Sequence, residues 1–277
     1  MKMPWDFSIK EIDLSTISEL NNIKGIEKDK LLINSDDNTR LGIVSKEFST
    51  FSHKEAVQQT IEAINEITKT NSRFKNFQIN PDNVFFRNNK SFMKLDIDFT
   101  DLGFEIGKIR KVGDIVNFRT TIVNALDGTS RLKWKIGGLR LICLNGLMTF
   151  QEVDSLNFVH KSLDVPSISE AILNKFEIFQ KFISDWKELS KKELTQEETK
   201  RLFEKLKKEN EKKNKVAERN IDNIINLSEE VFEKEGRTLW TFYNLASNYT
   251  THNEKVARSF NLQTQINRLF DDVVKAA

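Results

Sequence analysis

The 277-residue sequence predicts an α+β fold: an N-terminal antiparallel sheet with one amphipathic helix, followed by a helical C-terminal half that partly covers it. Three observations lead there. Between Arg40 and Leu144 short alternating apolar runs are separated by turn signals; one capped stretch among them has helical spacing; and beyond Pro166 almost every segment is helical in period. The length suffices for one large or two moderate domains. The boundaries read as an N-terminal arm over 1–39, an antiparallel α+β domain over 40–165 and a helical region over 166–277.

The first 34 residues are mixed and polar, with a helical possibility around 15–22. Residues 40–48 read as a strand. Ser52 and Glu55 have the spacing of a capping box, and Ala56, Ile61, Ile64 and Ile67 continue an amphipathic helix to about Thr70. Strands are expected at 77–79, 84–87 and 92–99, separated by Asn-Pro-Asp and Asn-Asn-Lys turns. The last alternates cleanly and places Lys94, Asp96 and Asp98 on one side. Two carboxylates so placed read as solvated rather than as a metal or acid pair.

Residues 114–146 are the most informative stretch, because two strand-like runs flank a Leu-Asp-Gly turn. A three-residue loop of Leu126, Asp127 and Gly128, with Gly128 left-handed, sets Phe118, Thr120 and Ile122 against Ile136, Trp134 and Leu132 on an apolar face. The opposite face then holds Arg119 across from Lys135, Thr121 from Lys133 and Val123 from Arg131. A two-residue loop would shift the register by one and mix the faces. Lys108, Arg110, Lys111 and Arg140 lie nearby in sequence, so the segment is locally basic although the chain's net charge is only +2. Such a stripe is the footprint expected of a surface that follows a phosphate backbone, or else a solvated sheet face kept positive for solubility. Gly137-Gly138 should break or bend the sheet, with 139–144 continuing as a buried strand or a helix start and Asn145-Gly146 making a turn.

In the helical half, Ile172, Phe176, Phe179, Ile183 and Trp186 recur at spacings of four and three, an apolar seam. Thr195 and Glu198 form a second capping box, which opens a highly charged helix read either as solvated or as a projecting arm. From Thr238 to Val274 the pattern is helical again, with Leu239, Phe242, Leu245 and Tyr249 on one side. The aromatic set Trp240, Tyr243 and Tyr249 reads as core, and His252 as a structural hydrogen-bonding residue.

Composition excludes several classes. Cys143 is the single cysteine, so neither an intramolecular disulfide nor a thiolate metal cluster can form within the chain. His53, His160 and His252 are far apart, and neither a metal nor another cofactor is expected. No apolar run reaches the roughly 20 residues that cross a bilayer, and the first residues lack a signal-peptide core, so the expected compartment is the cytoplasm, with no membrane partner.

Several motifs occur in the order of one known family. The segments LGIVSKEFSTFSHKEA (41–56), NALDGTSRLKW (124–134), LRLICLNGL (139–147), FVHKS around His160 and LWTFYNLASNYTTH (239–252) resemble the phage/plasmid-like protein family, also known as domain of unknown function 932. Gly146 stands where a Thr commonly follows the Asn in that family. The resemblance implies a bacteriophage, prophage or plasmid origin and carries no activity with it.

Three functions are consistent with these features. The first is binding of nucleic acid, single-stranded DNA above all, as in the phage single-strand annealing proteins whose general plan this layout is similar to. Arg119, Arg131, Lys133, Lys135 and Arg140, with Lys108, Arg110 and Lys111, would meet phosphates, in a homo-oligomer. Stacking of bases on Phe118 or Trp134 conflicts with the buried face the register gives them. The second is a non-enzymatic oligomeric protein, a scaffold or an inhibitor of host defence. The third is a hydrolase using Cys143, Asn145 and His160, residue types found together in papain-like proteases. A cysteine within LRLICLNG reads first as a small buried hydrophobe, so the chain is taken not to be an enzyme.

Overall fold

A computed structural model describes residues 2–20, 22–109, 112–130, 132–140, 145–147, 164–213, 216–253 and 260–276. The fold is the expected α+β arrangement. A three-stranded antiparallel sheet is made of β1 (Ile9–Asp13), β2 (Asp29–Asn34) and β3 (Arg40–Ser45) in that spatial order. A six-stranded sheet runs in the order β4-β6-β7-β8-β9 with β5 also on β6, where β4 is Phe77–Ile79, β5 Phe85–Arg87, β6 Phe92–Ile109, β7 Val112–Ala125, β8 Lys133–Arg140 and β9 Asn145–Leu147. The helix α1 (His53–Thr70) lies between the sheets in sequence. The helical half comprises α2 (Val165–Lys191), α3 (Gln196–Lys213), α4 (Glu218–Glu235), α5 (Leu239–His252) and α6 (Phe260–Lys275).

Chain contacts divide the molecule into two compact units. The first holds Met1–Asp101, Arg119–Lys135 and Asp154–Lys175; the second holds Leu102–Phe118, Ile136–Val153 and Phe176–Ala277.

In the first unit the N-terminal stretch is built into a sheet. Its 15–22 segment forms short 3-10 turns at Leu14–Thr16 and Ser18–Leu20 where the sequence suggested a helix. Phe7, Leu32, Leu41, Val44 and Leu126 make one buried cluster. Helix α1 starts at the predicted capping box: Ser52 Oγ accepts from the Glu55 backbone N–H at 3.1 Å, and the Glu55 carboxylate accepts from the Ser52 N–H at 2.7 Å. Its Ala56, Val57, Ala63, Ile64 and Ile67 are buried, as are Met93, Leu95, Ile97 and Phe99 on alternate positions of β6. Alternation thus gives the sheet an inner, apolar face.

In the second unit, α2 lays its apolar seam on the strands. Phe179 meets Phe104 and Phe118 edge-on, with centroids 5.8 and 5.1 Å away, and Trp186 continues the contact to Trp240 at 5.3 Å. The five seam residues are all buried. The glycine pair does not break β8, which runs through both residues, because a Cβ on Gly138 would stand 2.3 Å from Val116 Cγ1. Close approach of the next strand is the reason for the glycine. Asn145 and Gly146 are likewise strand rather than turn, paired with Arg140 and Leu139.

The charged run opens at the predicted second box, where Glu198 N–H donates to Thr195 Oγ1 at 3.1 Å. It does not project as an arm. Leu202, Phe203 and Leu206 of α3 are buried, and Phe203 packs on Phe242 at 5.2 Å. The chain turns near Val216 into α4, where Asn210 Nδ2 donates to the Val216 carbonyl. Helix α5 is buried on every side among α4, α6 and β9, Trp240, Tyr243 and Tyr249 included, so this aromatic set is core as expected.

Candidate nucleic-acid interface

Gly128 is left-handed at φ 74°, as expected, and Asp127 accepts from both the N–H and the hydroxyl of Thr129, but β7 ends at Ala125 and β8 begins at Lys133, so the connection is longer than the expected three-residue loop. Phe118, Ile122, Leu132 and Trp134, the expected apolar face, are buried. Trp134 Nε1–H donates to Thr60 Oγ1 of α1 at 3.0 Å, which turns the indole to the inner side. By alternation Lys133 and Lys135, its neighbours in sequence, belong to the outer face.

That outer face is less bare than a solvated stripe. Val123 is buried in a cluster with Phe92 and Ala125, and Thr121 is buried with its hydroxyl donating to Asp96 at 2.6 Å. Arg119 has carboxylate partners one strand away. Its Nε and Nη2 grip the two oxygens of Asp98 at 2.5 and 2.8 Å, while Nη1 reaches Asp96 at 3.2 Å. The bidentate fork is the strongest form of this ion pair. Burial disfavours the Arg119 charge, yet the hydrogen bonds to Asp98 and the charges of both carboxylates outweigh it and hold the guanidinium protonated beyond its ordinary range. Burial pushes the Asp96 carboxyl up, but Lys94, Arg119 and Thr121 more than offset this and leave it below the usual carboxylate range. The Asp96 and Asp98 carboxylates are therefore neutralised rather than solvated. Arg119 is committed to them, and a phosphate would have to displace an aspartate to reach it.

Lys133 is different. It is half-buried, burial alone pushes its ammonium pKa down, and that ammonium has no hydrogen bond or ion pair among the described residues. Lys135 is also half-buried, with Thr120 Oγ1 donating to its carbonyl at 3.2 Å. The other candidates fall elsewhere. Arg131, Arg110 and Lys111 lie outside the described residues, as do the side chains of Lys108 and Arg140, and by sequence Lys108, Arg110, Lys111 and Arg140 belong to the second unit.

Two further cations belong to this face, of which the sequence had placed only Lys94 there. Arg87 pairs across from Phe92 and Lys94 across from Phe85, because β5 adds to the edge of β6. The Arg87 guanidinium lies over the Phe92 ring, 4.7 Å from its centroid, and has no carboxylate partner among the described residues. Lys94 sits 3.6 Å from Asp96. The alternation within 92–99 already placed Lys94 on the face of Asp96; what it lacked was the pairing of β5.

The hydrolase constellation is not described: Cys143 and His160 lie outside the described residues, and so does the Asn145 side chain. Of the other histidines, His53 is a buried structural residue. Its Nε2–H donates to the Lys90 carbonyl at 2.8 Å, which obliges Nδ1 to accept from Asn124 Nδ2 at 3.0 Å. Among the described residues, no group of three or more His, Cys, Asp or Glu converges as a metal site, and no helix is long and apolar enough to cross a membrane.

A family model matches residues 40–271, the span that includes the hairpin, the outer face and α5. The chain belongs to the family described as Domain of unknown function (DUF932). The DUF932 match begins at β3 and leaves β1 and β2 outside it. No curated protein and no solved structure matches the chain.

Proposed function

We propose that this protein binds nucleic acid, single-stranded DNA above all, through the outer face of the six-stranded sheet in its first unit, without catalysing a reaction. The observation that carries the reading is Lys133. A half-buried ammonium has lost part of its hydration, and with no carboxylate to repay the loss it gains more from an incoming phosphate than a fully solvated lysine would. Lys135, two positions along β8 on the same face, adds a second basic side chain, and in the sequence Arg131 comes two positions before Lys133. The sequence resemblance adds a mobile-element setting, phage or plasmid, in the cytoplasm of a bacterial host, with self-assembly along the strand as the natural mode of such a binder.

A salt-titrated binding assay on single- and double-stranded oligonucleotides tests this. Affinity for the single strand should fall steeply as salt rises, and reversal of Arg131, Lys133 and Lys135 to Glu should abolish it. Absence of salt-sensitive binding to any DNA or RNA would end the reading. Mass measurement of the free and bound protein by light scattering reads the assembly state in the same experiment.

A further inference from the structure

The outer face has an aromatic component as well as a charged one. The ring of Phe85, on the edge strand β5, is half-buried and rests on a floor of fully packed side chains: Phe92, Val123 and Ala125. It meets Phe92 edge-on, with centroids 6.4 Å apart and planes at 75°. Lys94 stands directly across from Phe85 in the ladder, and Arg87, two residues along on the same side, covers Phe92. The aromatics first considered for stacking, Phe118 and Trp134, are sealed in the core.

We propose that Phe85 is a stacking platform for an unpaired base, with Arg87 and Lys94 meeting the phosphates on either side of it; this rests on the nucleic-acid reading above. A base needs a flat apolar surface that keeps its position when the base is absent, and the ring's buried floor supplies that. Cations flanking the ring meet the backbone of the same nucleotide. From β5 to β8 is three strand spacings, roughly 14 Å, so one extended single strand crossing the sheet can touch Phe85 at one side and Lys133 at the other. The occupant is single-stranded because a base within a duplex is already stacked on its neighbours and has no free face.

Phe85→Ala and Phe85→Trp, each checked for a native melting transition, test the assignment against fluorescein-labelled oligothymidylate and the same backbone carrying abasic sites. Phe85→Ala should weaken oligothymidylate binding about ten-fold or more with little change in its salt dependence, and should leave abasic binding at the wild-type level. Phe85→Trp should bind as wild type does and show indole quenching on oligothymidylate but not on the abasic strand; should the alanine variant fail to fold, this readout decides alone. Wild-type affinity in Phe85→Ala, or an unquenched indole in Phe85→Trp, overturns the platform while the charge reading stands. If wild-type protein binds neither strand, the nucleic-acid reading itself falls and the platform with it.

Discussion

The two faces of strands β6 to β8 in the first unit are built from the same backbone by different physics. On the inner face Met93, Leu95, Ile97, Phe99 and Trp134 are buried together with the apolar side of α1, and the polar atom of the indole is satisfied by Thr60. Removal of apolar surface from water stabilises that side. On the outer face Arg119, Asp96, Asp98 and Thr121 satisfy one another, and Lys133 is left without a partner among the described residues. The difference shows how one sheet can be rigid and still keep a cation in need of an anion. The inner face holds the strands, the Arg119 network neutralises the middle of the outer one, and the Lys133 charge and the half-buried Phe85 ring remain at its sides.

Substitutions that damage one face and spare the other test this contrast. Trp134→Ala should be the most destructive, at about 3–5 kcal/mol, because it removes a large buried ring and its hydrogen bond together; denaturant melts read it directly. Acid should act through His53 on a comparable scale. Burial holds the ring's pKa down to about 4 against 6.5 when exposed, so the unfolded chain takes up the proton first as pH falls. Its contribution is complete above pH 6.5 and is lost progressively between 6.5 and 4, up to about 3 kcal/mol. His53→Asn should show a flatter stability profile across that window.

Smaller effects are expected on the outer face. Arg119→Ala leaves Asp96 and Asp98 side by side without their shared cation and should cost about 2 kcal/mol, less than a fully buried pair because the three groups keep some contact with water. Adding Asp98→Asn should recover part of it, a recovery that simple loss of packing would not give. Thr60→Val, which removes the acceptor for the indole N–H together with the hydroxyl's own donation to the Ala56 carbonyl, should cost about 1 kcal/mol.

Much of this was readable in the sequence where the determinant is local. The Ser52–Glu55 box, the left-handed Gly128 and the seam from Ile172 to Trp186 depend on neighbours a few residues away, and each stands where the pattern puts it. Strands β1 and β2 were hidden because their apolar residues do not alternate with one face: Ile12, Leu31 and Ile43 align across the sheet on the side away from Leu32. Gly138 misled because its cause, Val116, is on another strand. The outer face was half legible. Period two assigned Arg119 to it, but the carboxylates that hold Arg119 come from β6, and Arg87 and Phe85 join only because β5 pairs there. Period two sorts residues between faces; the partners across a strand follow from register, which one strand's sequence does not contain.

Whether the Lys133 charge on the outer face meets a phosphate is read directly by the slope of log affinity against log salt for single-stranded DNA. Replacing Lys133 and Lys135 together by Gln should lower the magnitude of that slope by about 0.7 for each phosphate that the variant no longer neutralises, with affinity reduced across all sequences and the melting transition unchanged. An unchanged slope in a variant that still binds would mean that neither lysine meets a phosphate.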